Sequence, residues 1–354
     1  MRWWIFVVLA ACSLMACSAD SPTKEQLGKE LFLDQRLSQP GGQACADCHA
    51  PGAAFRDPES DHTTSMGVVD GRFGTRNAPT AMYAASIPPL HYDDGRWVGG
   101  QFWDGRADTL EAQAAGPLLN PKEMNNPDRA TVVAKVRAAP YAATFREIYG
   151  PHALDEVDQA FAHITDAIAS YERGSELSPY NSRYDRFMAG TGTFTAQEAR
   201  GYAVFNSKCA GCHPPPNFTD FSYGNLGIPR YDNSMALAAD PSFVDHGLAT
   251  TVNSDAEDGA FRVPTLRNIT RTAPYGHNGY FENLPYMLEF LNTRDVGSRD
   301  VSTCSRAPGS NASCAWPPAE IPTTMAKQVG NLGLTSADLD DLLAFLDALS
   351  DDPL

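Results

Sequence analysis

The sequence predicts a mainly α-helical protein built from two domains. Its 354 residues are enough for two domains of ordinary size, each with its own apolar core. A capping-box pattern, a helical stretch and the pentapeptide Cys-x-x-Cys-His occur in that order twice, at residues 23–49 and again at 195–213. Strand patterns are sparse, while 28 glycines and 26 prolines indicate long ordered loops between the helices.

The N-terminus reads as a secretory signal over residues 1–17. Arg2 precedes an apolar run that is too short for a stable membrane-spanning helix, and small residues lead to Cys17. Leu14–Cys17 resembles a bacterial lipobox, so Cys17 is predicted to be lipidated; cleavage near Ala19 to give a soluble product is the alternative. We therefore expect a periplasmic protein that meets a membrane only through an N-terminal lipid.

Helix signals place the remaining elements in order. Thr23–Gln26 and Thr195–Glu198 are capping boxes that open two helices, and a third helix is predicted over about residues 154–173. The Ser/Pro/Tyr/Asn run that follows places a domain boundary near residue 178, giving domains 18–178 and 179–354. A final helix capped by Thr335 carries an apolar face formed by Leu339, Leu342, Leu343, Leu346 and Leu349.

The two pentapeptides, Cys45–His49 (CADCH) and Cys209–His213 (CAGCH), carry the chemistry. Two thiols at this spacing can bond to the vinyl groups of one haem, and the following histidine can bind its iron, so two covalently bound haem c groups are predicted. A redox dithiol or half of a zinc site would use only the cysteines and would leave both histidines unexplained.

Cys304 and Cys314 flank a Ser/Asn/Gly-rich loop, and in an oxidising compartment we predict that they form a disulfide; two unpaired surface thiols are the alternative. The formal charge of −16 argues against nucleic-acid binding, because the phosphate backbone is also negative. An acidic surface can also steer a basic electron-transfer protein toward this one.

Five further motifs resemble the bacterial dihaem cytochrome c peroxidases and the related MauG enzymes. They are FWDGR (102–106), GPLLNPKEM (116–124), RNAPT (76–80), NFTDF (217–221), and VPTLRN with TAPYGHNG (263–279). The resemblance implies two cytochrome c-type domains packed face to face. The N-terminal haem would meet hydrogen peroxide, and the C-terminal haem would relay electrons from a small donor protein such as a cytochrome c or a cupredoxin. Family members are often dimers, so a homodimer is also an expected state.

Individual site residues follow from the same resemblance. Trp103 matches the tryptophan between the haems, where an oxidisable indole can couple the two irons, and Glu123 matches the acid–base group above the peroxidatic iron. Gln113 and Pro117 match other positions of that pocket. Asn77, with the backbone carbonyls of Thr272 and Pro274, matches an oxygen-only calcium site between the domains.

The chain departs from the family at the iron ligands. Val68 stands where some peroxidases carry a histidine that caps the resting N-terminal iron, and His62 is out of register. Valine cannot bind iron, so we predict an open iron that needs no reductive activation.

At the C-terminal haem, Leu291 stands at the Met/Tyr ligand position, fourteen residues after His277. Met287, one helical turn earlier on a helix capped by Asn283, is the candidate ligand. An open or water-bound iron, with Met287 as an ordinary core residue, is the alternative.

Ser207 occupies the position of a surface tryptophan through which MauG passes oxidising equivalents, and this weakens the case for oxidation of a docked protein. Three functions are therefore compatible with the sequence. They are peroxide reduction, MauG-like oxidation of a protein or small molecule, and plain electron transfer.

Overall fold

The computed structural model describes residues 21–58, 63–231, 234–297 and 315–352. The lipid site Cys17, His62 and the predicted disulfide partners Cys304 and Cys314 lie outside these ranges. Twelve α-helices are found within them: α1 Lys24–Phe32, α2 Cys45–Cys48, α3 Leu110–Leu119, α4 Arg129–Ala138, α5 Ala142–Tyr149, α6 Val157–Glu172, α7 Arg183–Met188, α8 Ala196–Lys208, α9 Met235–Ala239, α10 Leu248–Val252, α11 Leu284–Thr293 and α12 Ser336–Asp347.

Two small antiparallel sheets complete the described part of the chain. One pairs β1 (His91–Asp93) with β2 (Arg96–Val98), and the other pairs β3 (Tyr223–Gly224) with β4 (Phe261–Arg262). The prediction of a mainly α protein is confirmed. None of the described helices is long and apolar enough to cross a membrane.

Both predicted capping boxes are present. The Thr23 hydroxyl accepts from the backbone N–H of Gln26 at 3.1 Å, and the Gln26 side chain accepts from the Thr23 N–H at 3.0 Å. Thr195 and Glu198 repeat the exchange at 3.2 and 2.7 Å. Because each box satisfies orphan N–H groups of a first turn, it fixes the start of the helix that leads toward one pentapeptide.

A glycine lies at the centre of the helix crossing in each half. A Cβ atom on Gly28 of α1 would lie 1.9 Å from the carbonyl oxygen of Ala167 in α6. A Cβ atom on Gly201 of α8 would lie 1.9 Å from the carbonyl oxygen of Asp341 in α12. In both halves, a glycine thus lets the helix that leads toward the pentapeptide pack onto the backbone of the last helix.

Each half has its own apolar cluster. The N-terminal cluster runs from Leu27 to Leu177, and the C-terminal cluster runs from Tyr184 to Leu349. On α12, Leu342 and Leu346 are buried, as is Leu349 just beyond the helix, while the other two leucines of the predicted face are partly buried. The predicted apolar face therefore packs into the C-terminal cluster.

Segments from the two halves meet around residue 77. The Asn77 N–H donates to the carbonyl of His277 at 2.8 Å, and the Arg262 N–H donates to the carbonyl of Trp103 at 2.8 Å. Arg76 forms ion pairs with Asp104 and Asp245, both at 2.7 Å. These contacts hold the loop that contains Trp103 against the loops that follow the second pentapeptide.

Candidate active site

One continuous cavity of about 910 Å³ contacts both pentapeptides. All four cysteines and both histidines of the motifs line it: Cys45, Cys48, His49, Cys209, Cys212 and His213. Trp103 lines the same cavity and is half-buried. The fold therefore brings the two motifs, more than 150 residues apart in sequence, to the walls of one space.

Both histidines are held by a backbone carbonyl from the loop that follows them. Nδ1 of His49 lies 3.2 Å from the oxygen of Phe55, and Nδ1 of His213 lies 2.8 Å from the oxygen of Phe218. Phe55 and Phe218 each adopt a left-handed backbone conformation, with φ of 53° in both. Burial lowers the pKa of both imidazoles. A neutral ring that donates from Nδ1 leaves Nε2 with a free lone pair, the form in which histidine binds a metal.

The cysteine environment suits covalent attachment better than thiolate chemistry. Burial raises the pKa of Cys48 to about 12 and that of Cys209 to about 11, and it raises the pKa of Cys45 further. A redox dithiol or a zinc site needs thiolates, which a low pKa favours. Within the described ranges no group of three or more Cys, His, Asp or Glu side chains could hold a metal ion. The raised thiol pKa values therefore favour covalent attachment over the zinc and dithiol alternatives.

Polar atoms on the cavity wall suit a group that carries its own polar substituents. Gln43 Oε1 is buried without a hydrogen-bond partner among the described residues. Arg262 is 8% exposed, and its side chain reaches only the Phe102 carbonyl at 3.3 Å within the described part of the chain. Burial lowers the pKa of this guanidinium to about 10. A buried arginine without a carboxylate partner fits the carboxylate of a bound haem.

The indole of Trp103 is fixed in direction. Its Nε1–H donates to the carbonyl oxygen of Asn77 at 2.8 Å. This bond satisfies the polar atom of the ring and leaves its apolar faces to the cavity shared by the two motifs. The place of Trp103 between two haems stays a prediction.

Glu123, Gln113 and Pro117 all line the cavity, and the charge of Glu123 acts on Cys45 and Cys48 of the first motif. Gln113 and Pro117 lie on α3, and Glu123 follows that helix by four residues. Burial raises the pKa of the Glu123 carboxyl, while Arg106 and a hydrogen bond with Asn120 act in the opposite direction. The Val68 N–H donates to the Glu123 carbonyl at 2.9 Å, so the loop aligned with the family's capping histidine contacts this wall through its backbone.

Met287 and Leu291 both line the cavity from α11. The predicted N-cap is confirmed, because the Asn283 side chain accepts from the Tyr286 N–H at 3.0 Å. Both side chains are partly buried against the C-terminal cluster. The wall near the second motif thus presents one possible thioether ligand beside a leucine. Ser207 is exposed on α8.

The residues predicted to bind calcium also lie close together. The Asn77 amide nitrogen donates to the Pro274 carbonyl at 2.8 Å, and Thr272 lines the same cavity. In this arrangement the amide nitrogen faces the carbonyl. If the amide rotated by a half-turn, its oxygen would take the place of its nitrogen beside the Pro274 carbonyl. The hydrogen bonds around the amide decide between these two orientations.

Two cavity residues were not singled out from the sequence. Glu172 ends α6, is 6% exposed and lines the cavity. It continues the buried stripe of Ile164 and Ile168 at four-residue spacing. An acidic residue on an apolar helix face is therefore the sequence signal that could have identified it. Arg262 had no comparable signal, because its burial depends on loops that are distant in sequence.

Comparison with known proteins identifies the family. The sequence model described as "Di-haem cytochrome c peroxidase" matches residues 22–193. The methylamine utilization protein MauG of Paracoccus denitrificans is 39% identical over 344 residues, which cover 92% of this chain and 88% of that protein. The cytochrome c551 peroxidase of Nitrosomonas europaea is 32% identical, with 82% and 80% covered. The crystal structure of the diheme peroxidase BthA from Burkholderia thailandensis superposes with a TM-score of 0.83 at 31% identity, covering 94% of this chain and 86% of that one.

The matches to MauG and to BthA extend over nearly the whole chain, and the relatives include both MauG and cytochrome c peroxidases. Membership implies two haem c groups and a peroxide substrate. The chain belongs to the dihaem cytochrome c peroxidase and MauG family, and it is an oxidoreductase that uses peroxide.

Proposed function

We propose that this protein reduces hydrogen peroxide to water at the site formed by His49, Cys45 and Cys48. Electrons would arrive through the site formed by His213, Cys209 and Cys212. The observation that carries the proposal is Glu123, a partly buried carboxyl on the cavity that His49 also lines, with its pKa raised by desolvation. A carboxyl in such a place is suited to general acid–base catalysis.

Two haem c groups fit the residues that are present. Each would be held by two thioether bonds and by Nε2 of a neutral histidine, and Arg262 could pair with a carboxylate of one haem. When bound, these groups supply the redox-active iron. The protein residues then have to orient peroxide, move its protons and conduct electrons.

Glu123 would move the proton. Its carboxylate can take a proton from one peroxide oxygen and return it to the departing oxygen, as the O–O bond breaks. Gln113 faces the same space and can orient peroxide, because an amide both donates and accepts hydrogen bonds. Two electrons and two further protons complete the conversion of one peroxide to two waters.

The surface near Cys212 supports electron entry on the C-terminal side. Cys212 is exposed, whereas the other three motif cysteines are partly buried. The β1–β2 hairpin lies beside it, because Arg96 pairs with Asp220 at 2.6 Å and the Asp220 N–H donates to the Cys212 carbonyl at 2.9 Å. The hairpin presents Tyr92, 60% exposed, against Trp97 with ring centroids 5.2 Å apart. A small redox protein, attracted by the net negative charge if it is basic, would dock here.

The decisive experiment compares Glu123→Gln with wild-type protein and with Glu147→Gln, which changes an exposed glutamate of α5. The rate of the peroxide reaction should fall by about 10²- to 10⁴-fold in Glu123→Gln and remain unchanged in the control. Turnover is measured with a reduced small c-type cytochrome. An unchanged rate in Glu123→Gln would remove the carboxyl from the mechanism.

MauG-like oxidation of a protein or small molecule is the second candidate function. The 39% identity to MauG supports it, whereas the exposed Ser207 at the position of MauG's surface tryptophan weighs against it. Consumption of peroxide by wild-type protein without oxidation of any reduced cytochrome would favour this second function. A plain electron carrier would instead ignore peroxide.

We also propose a calcium ion held by the Asn77 side chain and the carbonyls of Thr272 and Pro274, with water completing the six to eight oxygens that calcium prefers. The proximity of Asn77 and Pro274 supports this site. Elemental analysis of wild-type and Asn77→Ala protein after dialysis tests it. Equal calcium content in both would exclude Asn77 as a ligand.

The location is proposed to be the periplasm, with Cys17 lipidated, and the assembly a homodimer. The sequence of residues 1–17 and the periplasmic chemistry of haem attachment support the location. Cell fractionation of wild-type and Cys17→Ser protein tests the anchor, since only the wild type should stay with the membrane. Light scattering of the haem-loaded protein gives the assembly state, and a monomer mass would refute the dimer.

A further inference from the structure

Glu172 is a buried acidic group that the mechanism above does not use. It is the last residue of α6 and lies one turn beyond Ile168, which also lines the cavity. One carboxyl oxygen, Oε2, is fully buried and has no hydrogen-bond partner among the described residues. A carboxylate in such a place is costly unless it is protonated or a positive charge lies nearby.

The groups around Glu172 provide little compensation. Arg173, the next residue, forms an ion pair with Glu111 of α3 at 2.7 Å, so its positive charge is largely cancelled. Burial raises the pKa of Glu172 to about 8; Arg173 lowers it and Glu111 raises it. After burial, the charge of Glu172 is the strongest influence that raises the pKa of Cys45. Glu172 therefore lies at the edge of the N-terminal site, near the thioether position.

A redox centre beside such a group changes its proton affinity. Oxidation adds one positive charge to the site, and in a low-dielectric interior that charge favours the ionised carboxylate. Reduction removes the charge and favours the neutral acid. The same coupling makes the reduction potential of the site depend on pH, because binding of protons and binding of electrons are linked.

We propose that Glu172 is the redox-linked proton-binding site of the N-terminal haem pocket. When the reduced site gives an electron to peroxide, the Glu172 carboxyl loses up to one proton; when the electron is replaced, the carboxyl takes up one proton. The proton is released in the step in which peroxide oxygen requires protons to become water. This inference rests on the proposed function, because peroxide supplies the oxidant.

Solvent can reprotonate the group through its neighbours. The Glu111 and Arg173 side chains are 33% and 47% exposed. Both act electrostatically on Glu172, so partly exposed charged groups lie beside it. The pocket thus has two carboxyls with different tasks: Glu123 moves a proton between peroxide oxygens, and Glu172 balances the charge of the site.

The test measures the reduction potential of the N-terminal haem against pH in the haem-loaded protein, across the range that brackets a pKa of about 8. In wild type the potential should fall as pH rises. In Glu172→Gln, which stays neutral, it should be nearly independent of pH and higher than wild type at alkaline pH. Glu176→Gln, which removes a half-exposed acid four residues further along, should follow wild type.

Redox-difference infrared spectroscopy gives a second readout that does not depend on turnover. Wild type and Glu176→Gln should lose the carbonyl band of a protonated carboxylic acid on oxidation, and Glu172→Gln should show no such band. If Glu172→Gln fails to load haem, Glu172→Asp keeps a titratable group and should retain the pH dependence.

A wild-type potential that does not vary with pH, or an unchanged pH dependence in Glu172→Gln, would overturn the proposal. Failure of the peroxidase function would look different. In that case the wild type would not consume peroxide, although the proton linkage at Glu172 could still be measured.

Discussion

The Trp103 indole donates its N–H to the backbone carbonyl of Asn77 at 2.8 Å, and Asn77 in turn contacts the segment that contains His277 through its own N–H at 2.8 Å. The tryptophan is therefore anchored through one residue to a loop of the C-terminal half. This fixes the ring beside the cavity that both haem-attachment motifs line. The arrangement allows binding of peroxide and delivery of electrons to be separated experimentally.

Replacing Trp103 with Phe should slow electron delivery between the two sites without preventing the first reaction with peroxide. Phenylalanine keeps an apolar ring but is harder to oxidise and lacks the N–H that bonds to Asn77. We expect turnover with a reduced cytochrome to fall by about tenfold or more, equivalent to at least ~1.4 kcal/mol of barrier. Stopped-flow spectroscopy resolves the two phases.

The matched control for this variant is Trp97→Phe, which changes the hairpin tryptophan near the surface. It should leave the internal phase between the two haems unchanged. If Trp103→Phe transfers electrons between the sites at the wild-type rate, the indole is not the bridge.

The peroxide reaction should have an acidic limb that reports on Glu123. The carboxylate is the form that accepts a proton, and burial raises its pKa, so activity should fall with decreasing pH earlier than the ordinary glutamate pKa of about 4.3 would predict. Arg106 favours the charged form. Arg106→Gln should therefore move the limb to higher pH, while Arg106→Lys keeps the charge and should move it less.

The measurement is the second-order rate constant for peroxide as a function of pH. A limb that stays in place in Arg106→Gln would mean that another group controls it. A limb that also persists in Glu123→Gln would assign it to a different acid altogether.

The sequence predicted much of the local structure because its signals are local. Capping boxes at Thr23 and Thr195, the Asn283 cap and the apolar face of α12 depend on spacings of three or four residues, and each is present. Burial of charged groups is a tertiary property. The burial of Arg262 depends on loops far away in sequence, so no local pattern could indicate it, whereas Glu172 had one local signal, its place on the apolar face of α6.

The ligand of the C-terminal iron can be tested at Met287. If its thioether binds, Met287→Leu should remove the low-spin methionine-ligated signal and lower the reduction potential, because methionine ligation raises it. Leu291→Met, on the same wall, places a thioether at the position that the family uses for its ligand. Electron paramagnetic resonance of the ferric protein distinguishes these states. An identical spectrum in wild type and Met287→Leu would make Met287 a packing residue.

The two helix crossings are the places where we expect the fold to tolerate an added side chain least. At Gly28 and Gly201 the obstacle to a side chain is a backbone carbonyl 1.9 Å away, which cannot rotate aside as a side chain would. Alanine must therefore push α1 from α6, or α8 from α12. Overpacking costs about 1–3 kcal/mol or more, and the better helix propensity of alanine returns only about 1 kcal/mol. We expect each variant to lose up to about 2 kcal/mol of unfolding free energy, or more where the helices cannot separate.

Gly52→Ala is the control, because no atom lies within 4 Å of the added Cβ and its backbone needs no left-handed conformation. Chemical denaturation of the haem-loaded proteins, followed by circular dichroism, gives the free energies. Wild-type stability in Gly28→Ala would show that α1 and α6 can separate at little cost. The Gly28 crossing lies in the half that contains the first haem-attachment motif, and the Gly201 crossing lies in the half that contains the second. Each destabilised variant should therefore unfold its own half first, so the absorbance of the two haems would change at different denaturant concentrations.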